Sequence, residues 1–105
     1  MKIDWSQTAR QRMRDIRTYY KTKSAKASTE ILIDIKTAVE SLRKFPQMGS
    51  IEPLLSDLPI SFRYLVVRGN YKIVYYIDDV NEKVNIVTIW DCRQSEKKMK
   101  SEVEK

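Results

Sequence analysis

The spacing of the apolar residues changes once along this chain, and that change limits the fold more than any other feature. Between residues 9 and 45 the apolar side chains recur every three or four positions, which is the period of a helix with one buried face. From Phe62 to Trp90 the apolar side chains follow the two-residue period of strands. A chain of 105 residues accommodates one domain, so we expect the helices and the sheet to share a single fold.

Two helices are predicted in the first half of the chain. The apolar stripe of the first helix comprises Ala9, Met13, Ile16 and Tyr20. The apolar face of the second comprises Ala27, Ile31, Ile35, Ala38, Leu42 and Phe45. Ser6 or Thr8 can cap the first helix, and Ser24 or Ser28 the second. Because Pro46 cannot continue a helix and the link between the helices is short, we expect an antiparallel hairpin that ends near Lys44.

Four strands are predicted around this hairpin. Residues 2–5 form an opening strand, and the segments 62–67, 71–77 and 84–90 follow one another through short polar turns. Such turns connect antiparallel neighbours. The predicted fold is therefore α+β, in the order β-α-α-β-β-β, with an antiparallel sheet packed on one face by the N-terminal helical hairpin.

The positive charge is concentrated at the start of the chain. Residues 1–26 carry eight Lys or Arg and two Asp, a net charge of +6, whereas the remaining residues carry twelve of each sign and sum to zero. Four of these cations share one face of the first helix, beside its apolar stripe: Arg10, Arg14, Arg17 and Lys21. Such asymmetry predicts a polyanionic partner, either a nucleic acid or an acidic protein segment.

Several functional classes are excluded by residue types that the chain lacks. It has no His and one Cys, so Ser-His-Asp and Cys-His catalysis and an internal disulfide are ruled out. Neither a metal site nor a cofactor is predicted. No apolar run reaches membrane-spanning length, and residues 1–5 do not resemble a signal peptide. We therefore expect a cytoplasmic protein without a membrane partner.

Four segments, together with the element order, resemble the RelE/ParE toxin superfamily. They are Trp5 to Ala9 at the start of the first helix, Lys44-Phe45-Pro46 with Gly49 after the second helix, Phe62-Arg63 with Tyr71-Lys72-Ile73-Val74-Tyr75 in the hairpin, and Val87 to Gln94 at the end of the sheet. The resemblance covers residues 1–95, which implies a single toxin domain. Residues 96–105 are then a charged C-terminal helix or tail.

The resemblance implies a toxin of a bacterial type II toxin–antitoxin module. Such a toxin forms a hetero-oligomer with its cognate antitoxin, for which an acidic segment is expected here. The RelE branch cleaves mRNA on the ribosome, whereas the ParE branch inhibits DNA gyrase. The alternative is a catalytically silent basic module of the same fold that binds protein or nucleic acid.

The resemblance also places candidate site residues. Arg68, Lys72 and Arg93 fall where the superfamily has phosphate-binding cations, and the segment Glu52-Pro53-Leu54 is similar to one that supplies a general base in YoeB-type relatives. The catalytic Lys pair of RelE is replaced by Tyr64 and Val66.

The C-terminal end of the resemblance lacks a general acid. The His and Tyr that close the YoeB-type site are replaced by Arg93-Gln94-Ser95-Glu96, and the late Tyr of RelE falls near Met99. Arg63 and Tyr64, with the cations of the first helix, are the candidates for contact with nucleic acid or a partner.

Overall fold

The computed structural model describes residues 1–104; Lys105, the last residue of the predicted C-terminal segment, lies outside the described residues. In chain order the elements are β1 (Lys2–Trp5), α1 (Gln7–Lys21), α2 (Ala25–Ser41), β2 (Ser50–Ile51), a 3₁₀ turn (Pro53–Leu55), β3 (Phe62–Val67), β4 (Tyr71–Asp78), β5 (Lys83–Asp91) and α3 (Glu96–Glu104). Among these residues no helix combines the length and the apolar character needed to cross a membrane.

The two predicted helices form the hairpin α1–α2, and each begins at a predicted cap. The hydroxyl oxygens of Ser6 and Ser24 each accept the backbone N–H three residues later, at 2.9 and 3.1 Å. However, α2 ends at Ser41 rather than near Lys44. Phe45 therefore leaves the apolar face of the helix and is 57% exposed, so its predicted place on that face was wrong.

The sheet confirms the predicted fold class and differs from the predicted sheet in two respects, of which the first is the two-residue strand β2, a fifth strand that the sequence did not predict. Its strand order is β1-β5-β4-β3-β2, and β3, β4 and β5 form the predicted antiparallel meander. In contrast, β1 runs parallel to β5, with Lys2 opposite Lys83 and Trp5 opposite Ile86. The sheet is therefore mixed rather than wholly antiparallel, because the chain crosses over through both helices and the meander before it reaches the partner of β1.

Each face of the sheet carries its own hydrophobic cluster. The face under the α1–α2 hairpin buries Tyr71, Ile73 and Tyr75 of β4 against the helices, as the alternation in this strand predicts. The opposite face buries Val74, together with Trp90 of β5 and Met99 of α3. The sequence predicted cover for the first face alone, whereas the structure also covers the second with α3 and the segment that contains the 3₁₀ turn.

The loop after α2 is tied to the sheet by polar contacts. The Tyr75 hydroxyl donates to the carbonyl of Pro46 at 2.8 Å and accepts the N–H of Gly49 at 2.9 Å. Arg63 Nη1 donates to the Gly49 carbonyl at 2.8 Å. Gly49 is required here because a Cβ at this position would lie 2.5 Å from the Tyr75 hydroxyl oxygen. These contacts fix the chain just before Glu52.

Candidate functional site

Glu52 and Lys72 form a buried ion pair on the sheet face away from the α1–α2 hairpin. The backbone N–H of Glu52 donates to the carbonyl of Phe62 at 2.9 Å, which holds the residue against β3. Lys72 Nζ lies 2.8 Å from Glu52 Oε2 and 4.5 Å from the centroid of the Tyr64 ring. The side chain of Glu52 is fully buried, and that of Lys72 is 20% exposed. The structure thus brings together three of the predicted site residues.

The Glu52–Lys72 pair has little capacity left for a substrate. Glu52 Oε1 accepts the N–H of Leu54 at 3.2 Å, as the cap of the 3₁₀ turn, while Oε2 accepts Lys72 Nζ. Both carboxylate oxygens are therefore occupied, and the Lys72 ammonium is neutralised by one of them. For Glu52 to take a proton from a ribose hydroxyl, or for Lys72 to hold a phosphate, this pair must first break.

Arg68 lies at the turn between β3 and β4 and reaches toward the helical hairpin. Its φ of 55° is in the left-handed region, which few residues other than Gly adopt. Arg68 Nη1 lies 2.8 Å from Asp34 Oδ2 of α2. Because α2 covers the opposite face of the sheet from the Glu52–Lys72 pair, the sheet separates Arg68 from Lys72.

Arg93 follows β5 and is paired with Asp91. Its Nε and Nη2 donate to the two carboxylate oxygens of Asp91 at 2.9 and 2.8 Å. The pKa of Arg93 is raised, mainly by its hydrogen bonds to Asp91 and to a smaller extent by Tyr20. The hydrogen bonds from Arg93 in turn lower the pKa of Asp91. Because Tyr20 belongs to α1, Arg93 also lies on the side of the sheet that faces α1, away from Lys72.

A cleft of about 530 Å³ opens between α1 and the end of β5, and we call it the α1–β5 cleft. Its lining combines apolar side chains, such as Ile16 and Ile89, with charged ones of both signs: Arg12, Asp15, Asp91 and Arg93. Arg12 Nε lies 2.6 Å from Glu102 Oε1 of α3, so α1 and α3 meet across the edge of β5. The cleft is within the size range of ligand and peptide pockets.

Arg63, another predicted site residue, holds the loop after α2 rather than facing solvent freely. Its Nη1 bonds the carbonyls of Gln47 and Gly49 at 3.4 and 2.8 Å. The contacts of its neighbour Tyr64 are with Lys72, as described above. No group of three or more His, Cys, Asp or Glu residues that could hold a metal ion occurs among residues 1–104.

The predicted basic stripe of α1 is exposed along its whole length. We use this name for Arg10, Arg14, Arg17 and Lys21. Across the described part of the chain, none of the four has a carboxylate oxygen within 4.0 Å. The polar partner of Arg14 is the side-chain oxygen of Gln11, at 2.8 Å from Nη2. The basic stripe therefore differs from Arg68, Lys72 and Arg93, each of which is paired.

Comparison with known proteins identifies the family. The family model for the ParE toxin of the type II toxin–antitoxin system parDE matches residues 3–96. The chain belongs to the ParE toxin family. This confirms the resemblance to the RelE/ParE superfamily that the sequence motifs indicate.

A solved structure shares the fold of this ParE-family chain. It comes from the chromosomal ParDE toxin–antitoxin system of P. aeruginosa and superposes with a TM-score of 0.70 at 18% sequence identity. The similarity covers 87% of this chain and 95% of the other. No curated protein sequence matches the chain at a significant level.

Within this ParE-family fold, the predicted catalytic residues and Tyr64 are distributed over three places, apart from Arg63 and the basic stripe. Glu52, Lys72 and Tyr64 are together on one face, whereas Arg68 and Arg93 lie on the other, each with its own acidic partner. The sequence analysis did not find these partners. Asp91 had a local signal because it stands two positions from Arg93, whereas the contact of Arg68 with Asp34 depends on how α2 packs.

Proposed function

We propose that this ParE-family toxin inhibits growth by binding DNA gyrase and not by cleaving mRNA. The observation that supports this most is the state of the cations that cleavage would use. Lys72 is neutralised by the buried Glu52, and the sheet separates it from Arg68 and Arg93. A nuclease needs cations that converge on one scissile phosphate.

The missing proton donor supports the same proposal. The chain has no His, and Met99, which falls near the position of the late Tyr in RelE, is buried in the cluster under α3. A general acid must reach the leaving oxygen within hydrogen-bond distance. The C-terminal positions at which the RelE and YoeB-type relatives have their general acid therefore supply none here.

We further propose that a cognate antitoxin neutralises the toxin and forms a hetero-oligomer with it, with an extended acidic segment in the α1–β5 cleft. One edge of β5 pairs with β1, but this pairing ends at Ile86. From Val87 to Asp91, no strand among residues 1–104 pairs with that edge. The Arg12–Glu102 ion pair crosses this edge, so it must open before an extended segment added there gains main-chain hydrogen bonds. Lys97 and Lys98 line the adjoining groove beside α3, have no carboxylate partner among the described residues and favour acidic side chains, whereas Arg93 in the cleft is already paired with Asp91.

The domain division that follows from this proposal places the toxin domain in residues 1–95. Residues 96–105 are then an appended charged segment, of which Glu96–Glu104 form α3. Met99 is 1% exposed and packs on the second face of the sheet. We therefore propose that the segment acts as a cover for that face and as one wall of the groove for the antitoxin.

Two assays on the purified protein separate the gyrase proposal from RNA cleavage. In a supercoiling assay with gyrase and relaxed plasmid, we expect inhibition, whereas mRNA in a translating extract remains intact. Cuts at codon-linked positions in the extract, with normal supercoiling, would contradict the proposal and favour the RelE-like reading. No growth inhibition on induced expression without an antitoxin would overturn both toxin readings and leave the silent binding module.

A further inference from the structure

Among residues 1–104, the basic stripe of α1 is the largest set of cations on one element without acidic partners. Elsewhere in the described part of the protein, seven cations form ion pairs: Arg12, Arg43, Arg68, Lys72, Lys83, Arg93 and Lys100. The four members of the basic stripe do not, although the acidic Asp15 lies on the same helix and pairs with Arg12 instead. The stripe therefore keeps its full positive charge.

The geometry of the stripe is regular. Its positions are spaced by four, three and four residues, so the four side chains leave α1 within a sector of about 60°. From Arg10 to Lys21 the stripe extends about 16 Å along the helix axis. The helix is continuous over Gln7–Lys21, so this row of charge is held straight.

The surroundings of the basic stripe favour a phosphate backbone over an acidic protein segment as its partner. Protein–protein interfaces need an apolar centre from which charged residues are depleted. Tyr19 is the exposed large hydrophobic residue of α1. It lies nine positions after Arg10, and at about 100° per residue this puts it on the side of the helix opposite the basic stripe, about 180° away. In contrast, interfaces with nucleic acids are polar and strongly positive, and Arg and Lys side chains supply most phosphate contacts.

We propose that the basic stripe binds the phosphate backbone of duplex DNA without sequence preference. Each of the four side chains neutralises one phosphate, and the helix lies along the backbone. This inference does not depend on the gyrase proposal, because it would hold for a protein that inhibits nothing. It also concerns a different surface from the α1–β5 cleft, which we assign to the antitoxin.

The test measures binding of the purified chain to a fluorescent 20-base-pair DNA duplex by anisotropy at 50 to 200 mM salt. With four phosphates neutralised, the affinity should fall about 150-fold over this range, since log K changes with log salt at a slope of about −3.6. The double variant Arg14→Gln/Arg17→Gln removes two of the four contacts. Its affinity should then fall only about 12-fold over the same range, at a slope of about −1.8.

A matched control removes the same amount of charge elsewhere. The variant Lys36→Gln/Lys44→Gln changes two exposed cations outside α1 that also have no carboxylate partner in the described chain. It should retain the steep salt dependence. Circular dichroism and urea unfolding of both variants establish that they are folded.

Three results would overturn the inference. The first is the absence of DNA binding at 50 mM salt, and the second is an equal loss of slope in both variants, which would make the effect one of net charge. The third is tighter binding of poly-glutamate than of DNA at equal ionic strength, lost in the Arg14→Gln/Arg17→Gln variant. That third result would assign the stripe to an acidic protein partner.

Discussion

Replacement of Lys72 by Met should destabilise the protein much more than replacement of Glu52 by Gln. Met keeps most of the volume of the Lys stem but leaves the fully buried Glu52 carboxylate without its cation. Gln keeps an oxygen for the N–H of Leu54, and the freed Lys72 ammonium, being 20% exposed, can turn toward water. The asymmetry follows from the different burial of the two partners.

The magnitude can be estimated from this burial. Loss of one partner from a buried ion pair costs about 3 to 5 kcal/mol. Because Glu52 keeps one hydrogen bond and Lys72 is partly exposed, we expect about 3 kcal/mol for Lys72→Met. For Glu52→Gln we expect about 1 kcal/mol, the usual net value of one hydrogen bond. The double variant should lie near Glu52→Gln, because it leaves no buried charge.

Urea unfolding at pH 7 measures these differences. At a denaturant slope of about 1.5 kcal/mol per molar, Lys72→Met should lower the midpoint by about 2 M. The control is Arg43→Gln, which breaks an ion pair whose side chains are 50% and 57% exposed and should leave the midpoint unchanged. If Lys72→Met proves no more destabilising than Glu52→Gln, the idea of a buried carboxylate that depends on its cation is refuted.

Three further variants test other parts of the structure. Gly49→Ala places a Cβ 2.5 Å from the Tyr75 hydroxyl oxygen and should cost about 3 kcal/mol, seen as a lower melting temperature; an unchanged value would contradict the close approach. Met99→Ala should cost about 2 to 4 kcal/mol in urea unfolding, whereas a loss below 1 kcal/mol would show that α3 is not packed. Arg93 lowers the pKa of Asp91 in the folded protein below its usual 3.8. The pair therefore contributes its full stabilisation above about pH 4, and this contribution is lost as the pH falls through the lowered pKa of the folded state. Asp91→Asn should therefore flatten the loss of stability in acid-unfolding curves, and curves that coincide with the unsubstituted protein would argue against the pair.

The helices and the meander could be predicted because their signals are local. Ser6 and Ser24 cap the helices, and the alternation in β4 places Tyr71 and Tyr75 in the core. The parallel pairing of β1 could not be predicted, since four residues carry no information about which strand they join or in which direction. The cover by α3 was missed because Met99 and Val103, which pack on the sheet, are the two apolar residues of a highly charged helix.

The candidate site was predictable in residue type but not in arrangement. The sequence indicated Glu52 and Lys72 separately, and their contact follows from the register that places Lys72 opposite Val66 while the N–H of Glu52 bonds the carbonyl of Phe62. Burial of Glu52 depends on side chains that are distant in the chain. A carboxylate beside Pro in a loop is usually exposed, so residue type alone favours the opposite expectation.

From the parallel pairing of β1 with β5 we expect an order of events in folding. Next to this pairing, the bond from Ser6 Oγ to the Val87 carbonyl spans 81 positions, whereas each hairpin of the meander closes over a few residues. Closure of so long a loop is entropically costly, and contacts of this kind form late. Substitutions in β1, such as Trp5→Ala, should therefore accelerate unfolding in stopped-flow experiments and leave the refolding rate nearly constant. β1 is then the last strand to join the sheet and the first to leave it.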